Sequence, residues 1–129
     1  MIKFCSLDYF KEVEDAANKD EEFFSRAKDF VATFTYKVTD KLDELPPVFM
    51  KFGKGKVSET RLLKPEEKTT YRLESEYDIW MKISKGELDG ATAIMTRQMR
   101  FFGSMGEIMR YAKAFQRLLT LMTMVKVEY

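Results

Sequence analysis

Apolar positions recur along this chain with two different periods. Leu7, Phe10, Val13 and Ala17 follow one another at helical steps with acids between them, which predicts a first helix. Residues 18–20 interrupt it, and Asp20 can cap a second short helix carrying Phe23, Phe24 and Ala27. From residue 30 the period drops to two. Phe30, Ala32, Phe34, Tyr36 and Val38 alternate with Val31, Thr33, Thr35, Lys37 and Thr39, a strand signal rich in β-branched and aromatic residues. A polar turn at 40–44 and the pair Pro46-Pro47, which bars a central-strand start, precede a second strand over 48–52. Gly53-Lys54-Gly55 makes a tight connection to a third strand at 57–63, and a fourth follows the polar 64–68 loop at 69–74. Loops this short hold no crossover helix, so the pattern predicts an antiparallel meander.

Helical spacing then returns. Ser75, followed three residues later by Asp78, reads as a capping-box variant ahead of Tyr77, Ile79, Trp80 and Ile83, and Gly86 stands where a C-cap glycine belongs. Asp89 can cap a short helix through Ala91, Ile94 and Met95, and residues 98–102 form a fifth strand ending at Gly103. Ser104-Met105-Gly106-Glu107 is a capping box. Beyond it Ile108, Ala112, Phe115, Leu119 and Met122 repeat at four-three-four-three spacing, widened by Tyr111, Leu118, Leu121 and Val125, with Arg110, Lys113, Gln116 and Arg117 turned away. One helix over 107–125 with so broad an apolar face must cover a sheet.

The 129 residues, 45% hydrophobic and 33% charged, suit one domain, 1–129, with a core that needs neither disulfide nor metal. The 22 basic and 21 acidic residues nearly cancel, which excludes a dedicated nucleic-acid binder. The balance is uneven along the chain. Residues 1–22 carry three lysines against seven acids, net −4, and residues 96–126 carry six basic residues against Glu107, net +5. The second segment can meet anionic lipid headgroups transiently, or be a plain solvated face. A single cysteine, Cys5, forms no internal disulfide, and neither a signal-peptide run nor a membrane-spanning stretch is evident, so a cytoplasmic location is expected.

The chain has no histidine, which removes histidine-dependent nucleophilic catalysis and imidazole zinc sites. Glu21-Glu22 and Glu66-Glu67 lie in polar stretches where carboxylates are solvated rather than perturbed. Cys5, near the terminus, has no base to activate it, and Gly53-Lys54-Gly55-Lys56 lacks both the spacing and the following helix of a phosphate loop. No enzyme and no cofactor are expected. Nine methionines and eighteen aromatics are a different signal, because thioether and aromatic side chains line irregular apolar cavities well; a soft core would need them too.

The segment Tyr77-Asp78-Ile79-Trp80-Met81-Lys82-Ile83-Ser84-Lys85-Gly86-Glu87-Leu88-Asp89-Gly90-Ala91-Thr92-Ala93 resembles the central signature of the sterol carrier protein family. That signature is an aromatic helix before a glycine, an acidic turn, and an alanine-bearing short helix. It continues into Gln98-Met99-Arg100-Phe101-Phe102-Gly103 and the closing apolar helix. The resemblance covers residues 30–125 and is specific over 80–103. It implies an α/β (α+β) fold, a mostly antiparallel five-stranded sheet covered by helices, with a hydrophobic tunnel between them. It also implies non-enzymatic binding and transfer or presentation of a fatty acid, acyl chain or sterol-like molecule. On that reading the tunnel is lined by residues of the interior stripes: Phe34, Tyr36, Trp80, Met95, Met99, Phe102, Met109, Phe115, Leu119 and Met122. Trp80 is equally well read as core. The turn at 40–47 departs from the glycine-rich first hairpin of the family, so the ligand itself does not carry over. Two rival readings stand beside this one: an accessory subunit that presents a lipophilic substrate to an enzyme, and a ligand-free protein-interaction domain.

Overall fold

The computed structural model describes residues 2–129. The element order is α1 (Leu7–Asn18), α2 (Glu21–Arg26), β1 (Ala32–Val38), β2 (Val48–Gly53), β3 (Lys56–Leu62), β4 (Tyr71–Ser75), α3 (Tyr77–Ser84), α4 (Gly90–Met95), β5 (Arg100–Phe102), α5 (Met105–Arg110) and α6 (Ala112–Met124). The five strands form one mixed, mostly antiparallel sheet in the order β3-β2-β1-β4-β5. Among the described residues no helix is long and apolar enough to cross a membrane.

The caps expected at Asp20, Asp89 and Ser104 are made: these side chains accept the backbone N–H of Phe23, Thr92 and Glu107. Asp20 does more than cap. It also accepts two hydrogen bonds from Arg117 (2.9 and 2.7 Å), tying the start of α2 to α6, and this guanidinium holds its carboxyl below the usual carboxylate range. Lys54 and Gly55 take φ of +55° and +78°, the left-handed pair of a two-residue hairpin turn between β2 and β3.

Three expectations are corrected. The meander fails at β4, which pairs in parallel with β1 (Phe34 opposite Tyr71 through Val38 opposite Ser75) rather than with β3. The β2–β3 hairpin itself supplies the crossover. The chain then returns over the outer face of β1, where Thr35 and Thr69 share a 2.8 Å hydrogen bond and Thr33 meets Thr70. No helix is needed for such a return. Ser75 does not cap α3: it ends β4 and donates to the Gln98 carbonyl (3.0 Å), Glu76 is the N-cap residue, and Asp40 accepts the Tyr77 N–H from a distant turn. The closing helix is not continuous. It breaks at Tyr111 (φ −115°, ψ 22°), whose ring packs on Phe30 at 4.9 Å, into α5 and α6.

The return loop is pinned by Arg61, whose guanidinium donates two parallel hydrogen bonds to Glu67 (2.8 and 2.7 Å) while lying 3.9 Å over the Phe49 ring. The Arg61 fork, helped by the Lys64 N–H, lowers the Glu67 pKa to about 2. A carboxyl depressed in the fold contributes stability that is full above its unfolded value and disappears as pH falls through the folded one. We therefore expect Glu67→Gln to be less stable than the wild type at neutral pH. The difference should shrink between the ordinary glutamate range and pH of about 2. Melting curves across that window check this.

The core lies between the inner face of the sheet and the helices. Phe10 of α1 stacks on Tyr36 at 4.8 Å, and Phe115 of α6 stacks on Phe34 at 6.0 Å, so the apolar face of α6 does cover the sheet. The chain ends are tied together: Phe4 N–H donates to the Glu128 carbonyl, and Glu128 N–H to that of Ile2. Cys5 lies next to this tie, so its place near the terminus does not leave it accessible. It is fully buried, and burial pushes its thiol up, which keeps it protonated and unreactive.

Candidate functional site

Four elements meet at one end of the helical layer. Helix α4 is held by its Asp89 cap and by the Gln98 and Met99 N–H groups, which both donate to the Ala93 carbonyl (2.9 and 3.0 Å). Strand β5 is an edge strand registered so that Phe101 lies opposite Leu73. Leu73 points into the core, so Phe101 points inward too, and its ring lies 5.5 Å from Tyr71. Helices α5 and α6 continue a single apolar stripe across the break at Tyr111.

Between these elements lies an apolar pocket of about 260 Å³. Its walls are Ala91, Ile94 and Met95 of α4, Phe101 of β5, Met105, Ile108 and Met109 of α5, and Ala112, Phe115, Gln116 and Leu119 of α6. Gln116 is the one polar side chain in that set. Phe115 closes the pocket toward the sheet, stacked on Phe34. The outer rim is open: Met95, Met105 and Met109 are 81%, 49% and 65% exposed, far more than thioethers ordinarily show on a soluble surface. A second, more polar cavity of about 360 Å³ lies across Leu119 and Gln116, which border both.

The expected lining residues divide into three groups. Met95, Met109, Phe115 and Leu119 come together around the apolar pocket. Phe34, Tyr36, Trp80, Met99 and Met122 are closed into the core beneath it and do not border it. Trp80 donates its indole N–H to the Lys37 carbonyl (3.1 Å) and meets Phe10 and Tyr36 edge-on, the bonding of a core tryptophan. Phe102 is on the wrong side: strand alternation turns it to the outer face, where Arg72 stacks on it at 4.0 Å.

The residues missed by sequence reasoning had readable signals. Phe101 and Phe102 cannot share a face, and only the pairing register shows which one enters. Met105 lies one helical turn before Met109 and shares its face. Ile94, Ile108 and Ala112 sit on the apolar stripes. Gln116, read as turned away, stands at the edge of the stripe and reaches the pocket. Burial pushes the ionisation of Cys5, Tyr9 and Tyr36 upward, and all three belong to the closed core rather than to the pocket.

The family model of the SCP-2 sterol transfer family matches residues 10–116. No curated protein matches the sequence. Solved structures do share the fold. A crystal structure of sterol carrier protein 2 superposes with a TM-score of 0.85 at 16% identity, covering 96% of this chain and 100% of that one. A conserved hypothetical protein from Thermus thermophilus, described as possibly a sterol carrier protein, gives 0.83 at 16% identity, over 99% of this chain and 93% of that one. The ubiquinone synthesis protein UbiJ-SCP2 gives 0.56 at 11% identity, over 91% and 89%. The signature at 77–103, the five-stranded sheet with its helical cover, and the family match over most of the length agree: this chain belongs to the SCP-2 sterol transfer family.

Proposed function

We propose that this protein binds the apolar part of a lipid in the pocket between α4, β5, α5 and α6, and carries or presents it without chemistry of its own. One observation carries the reading: a pocket open to solvent whose walls, Gln116 apart, are wholly apolar. Water in such a space gains few hydrogen bonds, and each methylene that replaces it contributes about 0.8 kcal/mol. Apolar burial has no direction, so the pocket accepts many chains, and selectivity falls to polar groups beyond it. The family supports the same reading, since it is one of lipid transfer.

The exposed methionines give the pocket a mouth suited to a bilayer surface. The positive balance of residues 96–126, which span β5, α5 and α6, suits contact with anionic headgroups there. Presentation of a lipophilic substrate to an enzyme is the second reading, favoured by the shared fold of a protein of ubiquinone synthesis. Both readings use the same pocket.

The test is a titration of delipidated protein with a fluorescent fatty acyl probe, compared with Met109→Asp. Met109 is mostly exposed, so its loss should leave the melting temperature nearly unchanged, within about 0.5 kcal/mol of stability. A carboxylate on the pocket wall should weaken probe binding by about tenfold or more. Saturable binding that Met109→Asp weakens supports the reading. Absence of binding, or equal binding by both proteins, would overturn it.

A further inference from the structure

Leu119 stands between two cavities, one apolar and one of mixed polar and apolar lining. On one side is the apolar pocket of about 260 Å³, which sits at the lower edge of ordinary ligand pockets, roughly 300–1,000 Å³. A long-chain lipid outgrows it. On the other side is a cavity of about 360 Å³, open to solvent and bordered by α2, α6 and the turn between α3 and α4, with Glu22, Arg26, Asp89, Gln116, Arg117 and Thr120 among its walls. Leu119 and Gln116 belong to the walls of both. Leu119 closes the gap by pressing on α4 where that helix has no side chain: a Cβ built on Gly90 would lie 2.4 Å from Leu119 Cδ1. The blocking atoms are thus the mobile end of one leucine.

We propose that the two cavities form a single elongated site for an amphiphile, partitioned by Leu119. The alkyl chain occupies the apolar pocket, and an uncharged, hydroxyl-bearing polar end occupies the second cavity. The inference rests on the lipid-binding reading above. The charges of the second cavity decide the class of the polar end. Arg117 is engaged by Asp20 (2.9 and 2.7 Å) and by Glu22 (2.9 Å). Arg26 pairs with Glu22 (3.4 Å) and donates to the Lys113 carbonyl (3.4 Å). Neither arginine is left to neutralise an incoming anion, and a carboxylate there meets Glu22 and Asp89 as like charges. A hydroxyl has no such conflict. The Gln116 carboxamide offers both a donor and an acceptor, and the Thr120 hydroxyl, which donates to the Gln116 carbonyl (3.1 Å), keeps its lone pairs for an incoming donor.

The test uses the delipidated 129-residue chain, a pyrene-labelled long-chain alcohol as reporter, and unlabelled saturated primary alcohols and carboxylates of matched, increasing chain length as competitors at mildly alkaline pH. Alcohols should compete at least about tenfold better than carboxylates of equal length. Wild-type affinity should rise by about fourfold per methylene and then level off at the length that, run from the second cavity past Leu119, fills the apolar pocket. Leu119→Ala should move that levelling to longer chains and Leu119→Phe to shorter ones. The phenylalanine variant keeps the apolar volume, so the comparison survives if the alanine variant melts early. Equal levelling in folded wild-type and variant proteins would overturn the partition, and carboxylates binding as well as alcohols would overturn the uncharged polar end. If the reporter itself fails to bind, the lipid-binding reading falls first and the inference with it.

Discussion

Replacing Phe34 by alanine is expected to destabilise the protein by about 3–5 kcal/mol, lowering the melting temperature by roughly 10–20 °C. Phe34 is completely buried on the central strand, and its ring meets Phe30, Tyr36, Phe52, Tyr71 and Phe115 at centroid distances between 5.1 and 6.1 Å. Truncation removes the transfer energy of a benzyl group and leaves a void that five rings fixed by their own neighbours cannot fill. The effect is one of stability. Phe34 does not border the apolar pocket, so lipid affinity per folded molecule should fall far less than stability, and only through the tilt of Phe115 above it. Thermal melts with a lipid titration of the folded fraction separate the two. A stable Phe34→Ala protein that has lost binding would mean the ligand reaches the sheet, deeper than the pocket described above.

The opposite result is expected for Ala112→Trp. Ala112 opens α6 and lines the pocket, and its small side chain leaves space that an indole can fill. Filling an open cavity does not force the overpacking that a closed core would suffer, and the helix-propensity cost of tryptophan is well under about 1 kcal/mol. The melting temperature should therefore move by only a few degrees. Lipid affinity should drop by about a hundredfold, because the indole occupies the volume of several methylenes worth about 0.8 kcal/mol each. Fluorescent-lipid titration and melts on the same sample check both halves. A large loss of stability with binding intact would identify the space as core packing rather than a ligand site.

The contrast between these substitutions shows how much of the site could be read from the chain. The strands, the helical stripes and the caps at Asp20, Asp89 and Ser104 were legible because period and cap chemistry are local: each of these three residues sits three positions ahead of the N–H it binds. The parallel pairing of β4 with β1 was not legible. It depends on a loop that crosses the outer face through Thr33, Thr35, Thr69 and Thr70, a contact between segments far apart in sequence. The same limit governed the site. The interior stripes separate buried from exposed positions, but not the wall of a cavity from solid core. Phe34, Tyr36 and Trp80 are as apolar as Phe115 and are buried more deeply, so the stripes rank them equally or higher. Alternation alone gives Phe101 and Phe102 two faces without saying which is inner; the pairing of Phe101 with Leu73 decides it. The exposed methionines on the rim break the rule that apolar means buried, and only the arrangement of α4 against α5 gathers them around one opening.

Lipid binding in this pocket is tested most directly by native mass spectrometry of delipidated protein after exposure to mixed lipid vesicles, with Ala112→Trp measured in parallel. The wild type should carry one lipid per chain, held between α4, β5, α5 and α6, and the tryptophan variant should emerge at its bare mass while remaining folded. A wild type that acquires no lipid, or an Ala112→Trp protein that carries it as well as the wild type, would show that the pocket is not the lipid site.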